Sequence, residues 1–164
     1  MTTQRSVLAV SNHDAQIPNA DPRLVRGMVR AIPFTIEKAA GDDDGSVIQI
    51  AQVRSSDVVK SIKIWNDALA GATAVDIGLY DDQPPADATA VDDDVYASAV
   101  NISAGLSGAE QAFEARDLAD MTKRVWEDAG LSKDPRVNYR IALTGDTFGT
   151  AAGTISGVVE VITG

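Results

Sequence analysis

"AVDIGLYD", residues 74–81, decides how this chain folds. Val75, Ile77 and Leu79 alternate with Asp76, Gly78 and Tyr80, the period-two pattern of a strand with one apolar and one polar face. The preceding "VVKSIKIW" (58–65) alternates too, with Val58, Ile62 and Ile64 expected opposite Val59, Ser61 and Lys63. The small-residue stretch "NDALAGAT" (66–73) then joins the two runs as a hairpin.

Working outward, the same pattern recurs. "IPFTIEK" (32–38) sets Ile32, Phe34 and Ile36 on one face, and "SVIQIAQV" (46–53) follows the turn "GDDDG". A long loop, "DDQPPADATAVDDD" (81–94), precedes a weaker strand candidate, "VYASAVNI" (95–102). The chain ends with "VNYRIALT" (137–144) and "TISGVVEVIT" (154–163), joined by the turn "GDTFGTAAG". Each run is short, rich in Val and Ile, and bounded by Gly, Asp, Pro or Ser. One helix is predicted over 118–129, where Leu118, Met121, Val125 and Ala129 share a face, Asp117 suits the N-cap and Gly130 the left-handed stop. Seven or eight strands with a single inserted helix predict a mainly β chain, an antiparallel β-sandwich or jelly roll. Its core is expected to hold Ile62, Ile64, Ile77, Leu79, Ile141 and Leu143, with Leu118, Met121 and Val125 packed on from the helix.

Charge divides the chain. Residues 1–30 carry Arg5, Arg23, Arg26 and Arg30 against Asp14 and Asp21, a net of +2, while the remainder carries −12 of the total −10. The stretch "SNHDAQIPNADPRL" (11–24) has two prolines and no sustained period. Residues 1–29 are therefore expected to form an extended arm and 30–164 the folded domain. An acidic body disfavours nucleic acid and anionic membranes, whereas a basic arm suits an acidic protein surface. No apolar run reaches the length of a membrane span or a secretory leader, and a protein assembled in the cytoplasm is the expectation. With no cysteine, neither disulfides nor thiolate metal sites are available.

Candidate chemistry is sparse. His13, the single histidine, sits between Asn12 and Asp14 in the arm and reads as an exposed loop residue rather than a catalytic one. The acidic runs 41–45 and 92–94 read as turn residues, with a weak cation site as the alternative. "GTAAGTISG" (149–157) lacks the lysine of a phosphate-binding loop. Trp65 ends a strand beside Asn66 and Asp67, as a cap on the core or as a rim residue at an interface. No catalytic, cofactor or metal residue is assigned, and paired-carboxylate hydrolysis is the weakest of the functional readings.

"IPFTIEKAAGDDDGSVIQIAQV", "SIKIWNDALAGATAVDIGLYD" and the closing "NYRIALTGDTFGTAAGTISGVVEVITG" together resemble the head decoration, or cement-type, proteins of tailed bacteriophages. The resemblance covers residues 30–164. It implies a β-sandwich or jelly roll that assembles as a dimer or trimer on the outer surface of the capsid. It also implies an arm that grips the major capsid protein. The arm residues suited to that contact are Arg5, Val7, Leu8, Ile17, Arg23, Leu24, Val25, Arg26 and Arg30. A receptor- or glycan-binding head fibre or tail component is the alternative on the same scaffold.

Overall fold

The computed structural model describes residues 28–82 and 89–164. Eight strands carry the fold: β1 (Val29–Lys38), β2 (Val47–Arg54), β3 (Val58–Asn66), β4 (Ala74–Asp81), β5 (Ala90–Val100), β6 (Ser107–Glu110), β7 (Asn138–Thr147) and β8 (Gly153–Ile162). They form two four-stranded sheets, in the orders β1-β8-β3-β6 and β2-β7-β4-β5, with every pairing antiparallel. The chain is thus the mainly β sandwich that its alternating runs predict. Ile62, Ile64, Ile77, Leu79, Ile141 and Leu143 are each 1% exposed or less and belong to one cluster between the sheets. Burying one such side chain contributes about 1.5–3 kcal/mol.

β4 departs from its half-buried reading. Val75, Ile77 and Leu79 enter the core, but Asp76 and Tyr80 on the other face are buried as well. The cover comes from β5. Leu79 faces Asp92 while Ile77 faces Ala97, so five steps of β5 span two of β4 and the surplus is carried across the outer face. Gly78 permits this approach, since a Cβ there would stand 2.2 Å from the Asp92 carbonyl oxygen. The Asp92–Asp94 run accordingly lies within a strand and not in a loop.

A second bulge shifts β3. The register slips between Val59 and Ser61, so Val59 shares the central cluster with Ile62 and Ile64, while Val58, expected on their face, is buried outside that cluster.

The single helix over 118–129 does not form. A 3-10 turn (Leu118–Thr122) and a four-residue helix, α1 (Val125–Asp128), are separated by Lys123 and Arg124 in extended conformation. In a continuous helix the amides of Val125 and Trp126 would bond to carbonyls four residues back. They bond instead to Asp57 O (2.9 Å) and Ser55 O (3.1 Å) in the β2–β3 turn. Val125 is fully buried, but Leu118 is 73% exposed and Met121 37%, so neither packs on the sandwich as expected. β6, four residues of "SGAE", has no counterpart among the predicted strands.

A candidate partner-binding end

The antiparallel strands give the sandwich two ends. One is closed by the turns β1–β2, β3–β4 and β7–β8 together with residues 101–106, and is here called the turn end. The other gathers the start of β1, the β2–β3 turn, residues 111–137 and the end of β8, and is called the leader end.

The turn end is sealed by backbone-directed bonds. Lys38 is 1% exposed, and its ammonium donates to the carbonyls of Gly149 (3.0 Å), Ala151 (3.2 Å) and Ala39 (3.3 Å). It also stands 4.6 Å from the centre of the buried Phe148 ring. The "GDDDG" acids serve the turns. Asp42 Oδ2 accepts from Ala39 N (2.7 Å), Asp44 Oδ1 accepts from Phe148 N (2.8 Å), and Gly45 takes a φ of +85°. Trp65, 42% exposed, does not cap the core; it lies over Gly108, whose Cβ would come within 2.8 Å of the indole.

The leader end is open by contrast. Of the nine large apolar side chains exposed among the described residues, seven lie here: Met28, Val29, Val91, Leu118, Met121, Leu131 and Val137. Exposed large apolar side chains are therefore more numerous at this end than at the turn end. A cavity of about 320 Å³ opens at the same end, lined by five carboxylates (Asp92, Asp94, Asp120, Glu127, Asp128) and two cations (Arg116, Lys123).

Arg116 anchors this cavity. Its guanidinium donates to Asp128 Oδ2 (2.7 Å), Ala112 O (3.1 Å) and Val59 O (3.2 Å), and lies near the Tyr96 and Phe113 rings. Burial pushes the Asp128 carboxyl up to about 6, with Arg116 pulling the other way. Burial likewise raises the Tyr96 hydroxyl, which bonds to Asp128 at 3.3 Å. Asp92 is raised by burial and by its bond with the Asp94 carboxyl. Asp92, Asp93 and Asp94 bring one carboxylate oxygen each within 4.8 Å of the others, close enough to share a hard cation.

Of the arm residues singled out in the sequence, Arg5, Val7, Leu8, Ile17, Arg23, Leu24, Val25 and Arg26 lie outside the described residues, as does His13. Arg30, the one member of that set within the described residues, lies in β1 with its side chain 46% exposed, and its guanidinium pairs with the buried Asp57 (3.2 Å). An arginine so engaged ties the root of the leader to the β2–β3 turn. The Arg116–Asp128 cavity was not foreseen, because its residues come from three segments that the sequence shows only as isolated charges.

The sandwich is thus closed by internal bonds at one end and carries exposed apolar and acidic groups at the other. The fold is similar to a chain from the capsid of Ralstonia phage GP4, at 16% identity over 84% of this chain and 86% of that one, with a TM-score of 0.61. A chain of the cyanophage Pam1 capsid asymmetric unit matches over the same shares at 13% identity and a TM-score of 0.46. No family model matches, and neither does any curated protein sequence. At such identity the likeness is one of fold.

Proposed function

We propose that this chain is a structural protein of a tailed-phage virion, and specifically a decoration protein that binds the outer surface of the assembled head. The observation that carries this reading is the likeness of fold to a phage capsid chain over most of both lengths. The leader end is the face that meets the major capsid protein, because the exposed apolar side chains collect there and the arm departs from there at Met28. Arg5, Val7, Leu8 and Ile17 extend that contact onto the shell. Arg23, Leu24, Val25, Arg26 and Arg30 belong to the same proposed contact. Binding a lattice requires shape and apolar contact, not a reactive group, so the role is non-enzymatic and needs no cofactor.

Co-sedimentation with undecorated heads tests it. The full chain should saturate heads at a copy number comparable with the coat protein, and deletion of residues 2–28 should weaken binding at least about tenfold, the loss of roughly 1.4 kcal/mol. Failure of the full chain to bind heads, with binding to host cells instead, would replace decoration by the receptor-binding alternative.

A further inference from the structure

We propose that the cleft between the β2–β3 turn and residues 134–138 is a carboxylate-binding site, taking a Glu or Asp side chain of a partner polypeptide between the guanidiniums of Arg54 and Arg136. These two arginines line a cavity of about 220 Å³ together with Ser55, Ser56, Asp134 and Val137. The ion pairs of the described residues engage Arg30, Arg116, Lys123 and Arg140. Arg54 and Arg136 thus stand without an acidic partner among the described residues.

The walls of the cleft are fixed by internal bonds. Asp134, its one acid, is already committed, since Oδ1 accepts from Ser55 Oγ (2.5 Å) and from the Arg136 amide (2.8 Å). Those bonds, followed by the charges of Arg136 and Arg124, hold its carboxyl below the ordinary range. Ser55 N donates to Val137 O (2.9 Å) and Arg54 N to the buried Asp57 (3.0 Å), so both arginines leave anchored backbone. Arg136 takes a φ of +57°, in the left-handed region where a long side chain is disfavoured and glycine fits. An arginine held there by Asp134, in the wall of a cleft, points to a use for its guanidinium.

Size and charge select the ligand. A volume of 220 Å³ equals that of about seven waters at roughly 30 Å³ each, which suits a carboxylate with its adjoining methylenes. Val137, 40% exposed, offers those methylenes an apolar wall. Two guanidinium forks meet a planar carboxylate with paired, charge-assisted bonds. A polyanion such as nucleic acid or an acidic membrane is repelled by the net −12 of residues 31–164, whereas a single carboxylate meets the local excess of cation.

The site stands independently of the decoration role; where that role holds, the carboxylate belongs to the coat protein, because the cleft lies at the leader end. Titration of the full chain with end-capped hexaglutamate, followed by amide NMR, tests it. At low salt the peptide should shift the amides of residues 54–56 and 134–138 saturably, and added salt should weaken binding. Arg54→Gln with Arg136→Gln should raise the dissociation constant at least about fivefold. Lys60→Gln with Lys63→Gln removes the same charge from β3 and should leave it within about twofold. Arg136→Gly suits the positive φ, so it removes one guanidinium with the fold kept and should weaken binding by itself. The proposal is overturned if residues 54–56 and 134–138 do not shift, or if the lysine variant loses as much affinity as the arginine one. It is equally overturned if inorganic phosphate shifts the same amides at lower concentration than the peptide, which would make the cleft a phosphate site. Peptide binding that is lost in the arginine variant, in a chain that fails to bind heads, would retain the site and remove the decoration role.

Discussion

At the turn end, Lys38, Asp42 and Asp44 direct their polar groups onto backbone carbonyls and amides, the Phe148 amide among them, and of the large apolar side chains only Val47 and Trp65 are exposed there among the described residues. At the leader end, seven large apolar side chains face outward, and a buried Arg116–Asp128 pair sits below a cavity with surplus carboxylates. Both ends contain a buried cation, but the cations are handled differently. Lys38 is neutralised by carbonyl dipoles and buried among the turns. Arg116 is held by a carboxylate that itself borders an open cavity. The contrast sets an end closed by internal bonds against one that leaves apolar and acidic groups in solvent, and substitutions can probe the two separately.

The largest effect is expected at the turn end. Phe148→Ala removes a fully buried ring and the surface beneath Lys38, and should cost about 3–5 kcal/mol in urea or thermal unfolding. Self-association of the folded fraction should be unchanged. A stability loss below about 1 kcal/mol would show that the turn end is not sealed in the way described.

How much of this division was legible beforehand varies with the range of the forces involved. β1 to β4, β7 and β8 are long alternating runs, and their alternation is a local property that survives folding. The helix over 118–129 had proper spacing and caps, yet lost to the carbonyls of Asp57 and Ser55, which lie more than sixty residues away in sequence. Burial of Asp76 and Tyr80 was hidden for a similar reason: only the excursion of β5 across Gly78 covers them. β6 is too short and too rich in small residues to show a period. The cavity was invisible because Asp92, Arg116 and Asp128 converge only through tertiary structure. The surplus of acid in the body was plain from composition, but its collection at one end was not.

The next effect concerns acid. The Asp128 carboxyl sits at about 6 in the folded chain against an ordinary 3.8, so the folded state holds the proton more tightly than the unfolded one. The resulting stabilisation is complete below about pH 4 and is lost as pH rises through about 6, at most ~3 kcal/mol from this group. Asp76 and Asp92 are raised as well and act in the same direction. Unfolding free energy should therefore increase when the pH is lowered from 7 to 5. Asp128→Asn lowers overall stability, because Arg116, with its side chain 4% exposed, loses its carboxylate. The informative readout is the slope: the Asn variant should show a clearly flatter dependence between pH 4 and 6, and an unchanged slope would remove Asp128 as its source.

The smallest effect on stability should accompany a large effect on contact. Leu118 and Met121 lie on the 3-10 turn, exposed, and form no part of the central cluster. Replacing both with serine removes apolar surface that the folded monomer already leaves in water, so unfolding should change by no more than about 0.5 kcal/mol. Covered by a partner, the same side chains would leave water, at roughly 25 cal/mol per Å² of apolar area. Association with a second copy, and with heads where the decoration role holds, should therefore weaken by about tenfold or more while the melting curve stays in place. A substitution of Val47 and Trp65, the exposed pair away from the leader end, is the control and should leave association within about twofold. If the control weakens contact as much as the Leu118 and Met121 variant does, the apolar asymmetry between the ends has no bearing on binding, and the contact face must be sought on the outer surface of the β1-β8-β3-β6 sheet, where Trp65 stands.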